Sequence, residues 1–366
     1  MPLVLYRKYR PQNFFEIIGQ EPIVMTLTNQ IRQGRAGHAY LFSGPRGLGK
    51  TSLARILAKA VNCQNRKDPE FEPCNQCSSC QEIIQGRSLD LVEIDAASNR
   101  GINEIRELKE RVRFAPVRDR YKVFIIDECQ MLTPEAFNAL LKTLEEPPRY
   151  VIFILATTEI HKVPRTIISR CQRFDFNKVG FDQIAERLKK ITEKEKIKIE
   201  DEVLKTIAAR SGGCVRDAES LLSQVLSLDE KEITAAQAEI VLPSSQSNLI
   251  IEFVELIFKK DDQKAVSFLN QIVEEGIDLE QFTKDLIEFL RKILLTKIQV
   301  DEKKIFWQVD GLSKNKIQKL AQEIEIKKLV EIIEEFIQTQ LSLADAEIPQ
   351  LPLELAVIRL VNNNGK

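Results

Sequence analysis

The glycine-rich segment at residues 44–51 restricts the fold of this chain more than any other feature. Its residues are Gly44, Pro45, Arg46, Gly47, Leu48, Gly49, Lys50 and Thr51. An apolar run precedes the segment and a stretch with apolar residues at helical spacing follows it, which predicts a strand, a phosphate-binding P-loop and a helix. The glycines would let backbone N–H groups surround a phosphate, Lys50 would reach the β- and γ-phosphates, and Thr51 would ligate Mg²⁺. We therefore expect the chain to bind ATP.

Short apolar runs alternate with amphipathic stretches between residues 38 and 176. This alternation is typical of a parallel α/β sheet. It predicts five strands, at residues 39–42, 89–94, 123–126, 151–155 and 173–176. The third and fourth runs are apolar throughout, as buried central strands are.

Beyond Gly180 the β-branched runs stop and helical patterns replace them. The clearest breaks are Gly212-Gly213 and residues 243–245, and the patterns after the second break lie at residues 249–258, 265–273, 279–295 and 317–341. A length of 366 residues favours two or three domains. We place a nucleotide-binding α/β domain at residues 1–178 and two helical domains at residues 179–242 and 243–366.

The overall composition is that of a globular protein without a membrane segment. Hydrophobic residues make up 43% of the chain and charged residues 29%, and no apolar run reaches the roughly 18 residues that a spanning helix needs. No apolar signal region follows the basic N-terminal residues, so we expect a cytoplasmic protein. Since the formal net charge is −1, binding of nucleic acid would need a locally basic surface.

An apolar strand at residues 123–126 runs directly into Asp127 and Glu128. Open α/β sheets bind ligands at the carboxyl ends of their strands, so both acids should lie beside the P-loop. We expect Asp127 to hold Mg²⁺ through water and Glu128 to polarise the attacking water. The presence of Glu128 favours hydrolysis over binding alone.

Four cysteines lie between the P-loop helix and the second strand, at Cys63, Cys74, Cys77 and Cys80. Four thiolates can close a tetrahedral Zn²⁺ site, and a metal would order the polar residues 64–73, which have no apolar core of their own. An iron–sulfur cluster is the alternative, because C-x2-C-x2-C also opens a bacterial ferredoxin motif. That motif would continue with cysteine and proline, where this chain has Ile84 and Gln85. The other cysteines, Cys129, Cys171 and Cys214, are interpreted as small buried apolar residues.

A locally basic segment begins at Asn99 and ends at Lys122. Its basic residues are Arg100, Arg106, Lys109, Arg111, Arg113, Arg118, Arg120 and Lys122. Such a helix could follow the phosphates of DNA without reading its bases. Because acids are interspersed with the bases, a solvated helix with internal ion pairs is an equal alternative.

Three further motifs complete the pattern, namely Tyr6-Arg7-Lys8-Tyr9-Arg10-Pro11, Ile18-Gly19-Gln20 and Ser169-Arg170-Cys171. With the P-loop and Asp127-Glu128, they resemble the gamma/tau subunits of the bacterial DNA polymerase III clamp loader. The resemblance covers the whole chain and is strongest over residues 1–220. It implies an AAA+ ATPase domain with a small zinc module, a helical lid and a helical collar.

The same resemblance implies the partners and the function of the chain. The collar would join other clamp-loader subunits in a hetero-oligomeric ring, which uses ATP to load a sliding clamp onto primer-template DNA. DNA would be contacted through its backbone, and the complex would lie at replication sites on the bacterial nucleoid. This family often has a longer form whose extension binds the DNA polymerase. We find no cluster of carboxylates typical of nucleotidyl transfer, so polymerisation would belong to the partners.

The resemblance also assigns roles to individual residues. Thr158 would be a sensor for the attacking water or the γ-phosphate, and Arg170 an arginine finger for a neighbouring subunit. Arg216 would be a second sensor, on the γ-phosphate. The adenine would be wrapped by Tyr9, Pro11, Ile18 and Gly19.

Purely structural roles for these residues are the alternatives. Thr158 could simply close a strand, Arg170 could interact with a helix C-terminus, and Arg216 could pair with a nearby acid. At the level of the whole chain, the alternatives are another AAA+ DNA motor, such as a branch-migration helicase, and a scaffold subunit that binds ATP without hydrolysing it.

Overall fold

The structure is a computed structural model that describes residues 4–67, 69–228, 230, 232–241, 246–300, 311–343, 346 and 348–362. The chain divides into two compact units. The first comprises Met1–Lys196 and Ser211–Ser223, and the second comprises Ile197–Arg210 and Gln224–Lys366. The predicted domain limits at residues 178 and 242 stay predictions, and the predicted break at residues 243–245 lies outside the described part of the chain.

The first unit contains a parallel five-stranded sheet, which confirms the predicted fold class. Its strands are β1 (Ala39–Ser43), β2 (Leu91–Asp95), β3 (Lys122–Asp127), β4 (Val151–Thr157) and β5 (Gln172–Asp175). Their order across the sheet is β2-β3-β4-β1-β5. The carboxyl ends of β1, β3 and β4 are therefore close together, and the P-loop and Asp127 share one edge.

Helices make up most of the remaining described residues. They are α1 (Leu5–Lys8), α2 (Glu21–Arg32), α3 (Lys50–Asn62), α4 (Ser78–Ile84), α5 (Ile102–Val112), α6 (Pro134–Glu145), α7 (Arg165–Ile168), α8 (Phe181–Glu195), α9 (Asp201–Arg210), α10 (Val215–Leu226), α11 (Ala235–Val241), α12 (Gln246–Phe258), α13 (Asp262–Glu274), α14 (Leu279–Lys297), α15 (Gly311–Glu323), α16 (Ile326–Leu343) and α17 (Leu351–Asn362). Short 3₁₀ helices cover Phe14–Glu16, Cys129–Met131 and Ile160–Lys162. Helices α1 to α8 and the first two turns of α10 belong to the first unit.

The core of the first unit explains why β3 and β4 are apolar throughout. Phe124 and Phe153 stack with ring centroids 5.3 Å apart, and both belong to a buried cluster that includes Leu108 of α5 and Leu140 of α6. Helix α3 also contacts β3 and β4. Since successive side chains of a strand point to opposite faces, both faces of the central strands are covered and neither can be polar.

Strand β2 begins two residues later than predicted. Leu89 is 71% exposed, whereas Asp90 is buried. The Asp90 carboxylate accepts hydrogen bonds from the backbone N–H groups of Val117, Arg118 and Asp119 at 2.8–2.9 Å. Asp90 therefore anchors the loop before β3 instead of extending the strand.

The second unit is mainly helical, and its core consists of the apolar faces of α12 to α17. Phe253 lies at the centre, with its ring centroid 5.6 Å from that of Phe282 and 6.2 Å from that of Phe336. This confirms the predicted helices at residues 249–258, 265–273 and 279–295. The helical pattern predicted at residues 317–341 is instead divided between α15 and α16, which are separated at Ile324 and Glu325. Two short parallel strands, β6 (Lys198–Ile199) and β7 (Glu232–Ile233), were not predicted, because two residues are too few to give a periodic pattern. Across the described residues, none of the helices combines the length and apolarity that crossing a membrane would require.

Candidate functional site

The P-loop connects β1 to α3 through glycines with backbone angles that other residues rarely adopt. Gly44 and Gly47 have φ angles of 140° and 76°. A Cβ atom at Gly44 would overlap the carbonyl oxygen of Phe176, and one at Gly47 would overlap Sγ of Cys214. Both positions therefore require glycine for conformation and for space.

Lys50 is the first residue of α3 and is almost fully buried. Its ammonium group donates hydrogen bonds to the carbonyl oxygens of Gly44 at 2.6 Å and Pro45 at 2.8 Å. Burial lowers the pKa of Lys50, although the carboxylates of Glu128 and Asp127 act in the opposite direction. The structure thus holds a cation inside the curve of the loop, where a phosphate would need it.

Thr51 and Asp127 meet at the predicted Mg²⁺ position. The hydroxyl of Thr51 donates a 2.7 Å hydrogen bond to Oδ2 of Asp127. Asp127 is the last residue of β3, and its Oδ1 accepts the backbone N–H of Glu128 at 3.0 Å. A hydroxyl and a carboxylate are oxygen ligands of the type that Mg²⁺ prefers.

A network of side chains holds Glu128. Its backbone is left-handed, with φ 49°, and its Oε2 accepts hydrogen bonds from Nε2 of Gln130 at 2.7 Å and from the hydroxyl of Thr158 at 2.9 Å. The Gln130 side chain also accepts a 2.7 Å hydrogen bond from the hydroxyl of the fully buried Thr157. Glu128 and Thr158 were predicted, whereas Gln130 was missed because its position carries no motif.

Most of these residues line one cavity of about 790 Å³ in the first unit, although Gly44, Pro45 and Thr157 are not part of its wall. Of the predicted site residues, the cavity wall contains Pro11, Ile18, Arg46, Gly47, Leu48, Gly49, Lys50, Thr51, Asp127, Glu128, Thr158 and Arg216. Tyr6, Arg7, Arg10, Gln130, Arg187 and Glu219 also line the cavity and were not predicted. The size and polarity of the wall suit a nucleotide.

Arg216 enters the cavity from the second residue of α10. Its guanidinium carbon lies 4.5 Å from the centroid of the Tyr6 ring, a cation–π contact. Cys214, just before the helix, lies 3.4 Å from the carbonyl oxygen of Arg46. Cys214 is half-buried, as is Cys171, whereas Cys129 is fully buried.

A buried ion pair lies near Arg216. Nε of Arg187 on α8 is 3.2 Å from Oε1 of Glu219 on α10, and Arg187 also donates to the carbonyl oxygen of Tyr9. Burial raises the pKa of Glu219 to about 7, although Arg187 opposes this shift. This pair ties α8, α10 and the N-terminal segment together beside the cavity.

Two residues predicted for the adenine lie elsewhere. The Tyr9 hydroxyl donates to Oε1 of Glu195 at 2.7 Å, and Gly19 has φ 69° with Val179 and Gln183 against it. Neither is among the residues of the cavity wall. Pro11 and Ile18 are, so the same segment contributes to the cavity through other residues.

Arg170 lies outside the cavity wall, between α7 and β5. Its Nε donates to Oε1 of Glu145 at 2.9 Å, and its Nη1 donates to the carbonyl oxygen of Thr166 at 2.6 Å. The Arg170 side chain is 30% exposed. Arg170 therefore does not line the cavity of its own chain, and part of its guanidinium group is accessible to solvent.

The four cysteines that were predicted as a metal site come together. The Sγ atoms of Cys63, Cys74, Cys77 and Cys80 all lie within 4.8 Å of one another, the one such cluster among the described His, Cys, Asp and Glu residues. Four sulfurs at the usual Zn–S distance would be about 3.8 Å apart, so the cluster fits a tetrahedral ion. Cys63 directly follows α3, whose first residue is Lys50.

Backbone N–H groups favour the thiolate form of Cys74 within this cluster, whereas burial raises the pKa of the Cys63 and Cys80 thiols. Sγ of Cys74 accepts from the N–H groups of Gln76 at 3.4 Å and Cys77 at 3.2 Å. Burial opposes ionisation of Cys74, yet these hydrogen bonds and those from neighbouring thiols lower its pKa to about 6. A thiolate is the form that binds a metal.

The basic segment around α5 is only partly available to a ligand. Lys122 is buried in β3 and donates to the carbonyl oxygen of Phe114. Arg118 pairs with Glu82 at 2.6 Å, and Arg113 with Glu110 at 3.1 Å. Arg106 and Arg111 remain exposed.

Comparison with known proteins yields three family models along the chain. They are described as the delta subunit of DNA polymerase III at residues 19–180, the ATPase lid domain of a DNA polymerase III clamp loader subunit at residues 183–229, and domain III of DNA polymerase III subunits gamma and tau at residues 233–365.

Curated relatives cover nearly the whole chain. DNA polymerase III subunit gamma of Buchnera aphidicola is 37% identical over 98% of both chains. DNA polymerase III subunit tau of Bacillus subtilis is 42% identical over 97% of this chain, which spans 62% of that relative. The corresponding tau subunit of Escherichia coli is 40% identical over 81% of this chain and 46% of its own length.

A solved structure supports the fold alone. A variant of RuvB from Thermotoga maritima is 18% identical and aligns with a TM-score of 0.50, over 74% of this chain and 86% of the RuvB chain. The curated gamma relative, which is similar over nearly its full length, shows the family. The chain belongs to the family of DNA polymerase III gamma and tau subunits.

Proposed function

We propose that this chain is an ATP-hydrolysing subunit of the clamp loader of the replicative DNA polymerase III. In this role it binds ATP, helps to place a sliding clamp on primed DNA, and releases the clamp when ATP is hydrolysed. The observation that carries the proposal is the convergence of Lys50, Thr51, Asp127, Glu128 and Thr158 on one cavity. Family membership supports the clamp-loading role.

Binding of ATP would replace hydrogen bonds that now lie within the P-loop. The Lys50 ammonium group, which donates to the carbonyl oxygens of Gly44 and Pro45, would turn to the β- and γ-phosphates. The backbone N–H groups at the start of α3 would donate to the β-phosphate, where the helix dipole favours negative charge.

Thr51 and Asp127 would hold Mg²⁺, Thr51 directly and Asp127 through water. Their oxygen atoms lie 2.7 Å apart, so both side chains are available at the position where the ion would be held. When bound, Mg²⁺ would neutralise charge on the β- and γ-phosphates.

Glu128 would act on the attacking water. Gln130 and Thr158 hold its Oε2, and we assign Oε1 to accept a hydrogen bond from that water. The water oxygen forms a bond to the γ-phosphorus as the bond to the β–γ bridging oxygen breaks, giving ADP and phosphate. Thr158 would sense the water or the γ-phosphate through the same hydroxyl that now contacts Glu128.

Two arginines would complete the site from different chains. Arg216, already at the cavity wall, would leave the Tyr6 ring and bind the γ-phosphate. Arg170, which lies outside its own cavity, would enter the cavity of a neighbouring subunit. The isolated chain should therefore hydrolyse ATP slowly.

The four cysteines would hold a structural Zn²⁺. Four thiolates fill a tetrahedron and leave no position for a substrate. We assign the ion to ordering residues 64–73, where the chain has few apolar residues to bury.

Assembly and DNA binding would use other surfaces. In the second unit, large apolar side chains are at least 41% exposed at Ile298, Ile326, Ile337, Leu341, Ile348, Leu351, Leu355 and Ile358. Such surface suits a collar that joins subunits. Exposed Arg106 and Arg111 would contact the DNA backbone, and a longer form would bind the polymerase.

ATP turnover tests the proposal when it is measured with the chain alone, with partner subunits, and with partner subunits, clamp and primed DNA. We expect the complete mixture to hydrolyse ATP much faster than the chain alone. Equal turnover in all mixtures would reject the clamp-loading role. Tight ATP binding without turnover in any mixture would favour the scaffold subunit instead.

A further inference from the structure

The N-terminal segment forms one wall of the ATP cavity in two separate runs. Arg10 and Pro11 line the cavity, and so do Glu16, Ile17 and Ile18. The four residues between these runs, 12–15, do not line it. The contacts of residues 12–15 therefore help to fix where both runs of the wall lie.

Glu72, two residues before the metal-ligating Cys74, binds this intervening segment. Its Oε2 accepts the backbone N–H of Phe14 at 3.0 Å, and its Oε1 accepts the N–H of Phe15 at 3.2 Å. The ring of the neighbouring Phe71 packs edge-on against that of Phe15, with centroids 5.6 Å apart. One carboxylate thus fixes two successive backbone groups.

Asn75, which directly follows Cys74, binds the same segment from another side. Its Nδ2 donates to Oδ1 of Asn13 at 2.5 Å. Its Oδ1 accepts a 2.6 Å hydrogen bond from the ammonium group of buried Lys59 on α3, and that group also donates to the carbonyl oxygen of Gln12 at 2.8 Å.

The backbone of the cysteine cluster fixes both anchoring residues. Asn75 has a left-handed backbone, with φ 57°, and its carbonyl oxygen accepts from Nε2 of Gln81 at 2.5 Å. Sγ of Cys74 accepts the two N–H groups that follow Asn75. A metal on the four sulfurs would hold this turn, and with it Glu72 and Asn75.

We propose that the four-cysteine module positions the nucleotide-binding wall, with Glu72 and Asn75 as positioning residues that hold residues 12–15. This inference rests on the proposed ATP-binding function. Neither residue touches the cavity. Each acts by keeping the wall in its binding conformation before ATP arrives, which removes an ordering cost from the binding free energy.

The test compares Glu72→Ala and Glu72→Gln with the unchanged full chain, using the dissociation constant of a fluorescent ATP analogue. We expect Glu72→Ala to weaken binding by about five- to thirtyfold, because ATP binding must then order the released wall at a cost of about 1–2 kcal/mol. Glu72→Gln keeps one acceptor oxygen and should be intermediate. Zinc content and the circular dichroism spectrum should not change.

Glu70→Ala is the matched control. Glu70 lies in the same module and is exposed. Its carboxylate contacts the backbone N–H of Lys67 at 3.4 Å, whereas that of Glu72 accepts the N–H groups of Phe14 and Phe15. Hydrogen exchange gives a second readout, since residues 12–18 should exchange faster in Glu72→Ala than in Glu70→Ala. Equal nucleotide affinity in Glu72→Ala and Glu70→Ala would overturn the proposal.

Removing the metal also tests whether the four-cysteine module positions the nucleotide-binding wall. Chelation should weaken binding of the ATP analogue to the unchanged chain by a similar factor, and should weaken it much less in Glu72→Ala, where the connection is already broken. Unchanged affinity after verified metal loss would also reject the proposal. Failure of the unchanged, metal-loaded chain to bind the analogue would instead reject the ATP-binding function itself.

Discussion

The hydroxyl of Thr158 donates a 2.9 Å hydrogen bond to Oε2 of Glu128. The residue that follows β4 is thereby joined to the residue that follows β3, and the proposed sensor to the proposed base. A bound γ-phosphate or its attacking water would compete for the same hydroxyl. If the proposed roles hold, nucleotide binding would release or reorient Glu128 by breaking this contact.

Replacing Thr158 by valine should separate binding from turnover. Valine has nearly the same shape but no hydroxyl, so ATP affinity should change little while kcat falls by about ten- to a hundredfold, as for one lost hydrogen bond in a buried site. Thr158→Ser should restore most of the activity. Steady-state ATPase assays in the complete mixture measure both, and an unchanged kcat in Thr158→Val would contradict the sensor role.

Replacing Glu128 by glutamine should block hydrolysis and preserve binding. The amide keeps the hydrogen bond from Thr158 but polarises water poorly, so kcat should fall by roughly a hundredfold or more. The clamp should accumulate on the loader in the presence of ATP, which size-exclusion chromatography can detect. Glu135→Gln, at an exposed position of α6, is the control and should behave as the unchanged chain.

Arg170→Ala should affect a neighbouring subunit and not its own. Because Arg170 lies outside its own cavity, ATP affinity of the isolated chain should be unchanged. In the assembled loader, turnover should fall by about a thousandfold if the residue acts as an arginine finger. Arg173→Ala, which removes an exposed arginine paired with Asp175 at 2.8 Å, provides the control. Equal turnover in the two variants would contradict the role in trans.

Glu219 should make stability depend on pH. Burial raises its pKa to about 7, from an ordinary value of 4.5, so between these values the folded chain binds a proton that the unfolded chain has lost. Stability from this group is therefore present below the unfolded value and is lost as pH rises through the folded one. Thermal unfolding at about pH 5 and about pH 8 should show a smaller fall in Tm for Glu219→Gln than for the unchanged chain.

The control for this measurement is Glu193→Gln, at an exposed position of α8. It should retain the pH dependence of the unchanged chain. An identical fall in Tm for Glu219→Gln and Glu193→Gln would show that Glu219 does not bind the proton.

Leu341→Asp should weaken assembly without unfolding the chain. Leu341 lies near the end of α16 and is 71% exposed, so the change costs little in the isolated chain but buries a charge if the residue lies in a subunit interface. Light scattering with partner subunits measures the effect. Ser267→Asp adds the same charge at an exposed polar position of α13 and should assemble normally. If both variants assemble normally, Leu341 lies outside the subunit interface.

The sequence predicted the elements that depend on local patterns. The five strands of the sheet were found within two residues at each end, because apolar runs such as residues 123–126 are the direct consequence of burial on both faces. The proximity of Lys50, Thr51, Asp127 and Glu128 could be predicted because a strand end and a glycine-rich loop place them at one sheet edge, while their roles stay predictions.

Contacts between distant parts of the chain could not be predicted in the same way. Tyr6 and Arg216 are 210 positions apart in sequence. Nothing in either local pattern indicates that the Tyr6 ring packs against the Arg216 guanidinium group. Glu145 opposite Arg170, and Glu72 opposite the backbone of Phe14, are similar cases. Each is an ordinary surface acid in the sequence and acquires its role only from the packing of separate elements.

The absence of a side chain at Gly47 restricts how chimeric proteins can be made from members of this family. A Cβ atom at Gly47 would overlap Sγ of Cys214 and lie 3.0 Å from Cβ of Arg216. The P-loop and the start of α10 therefore pack too closely to admit a side chain at position 47. In a chimera whose lid comes from another family member, the incoming residue at position 214 would be the one packed against Gly47. Residues 47 and 214 should therefore be exchanged together. A graft that transfers α10 should also include residue 214.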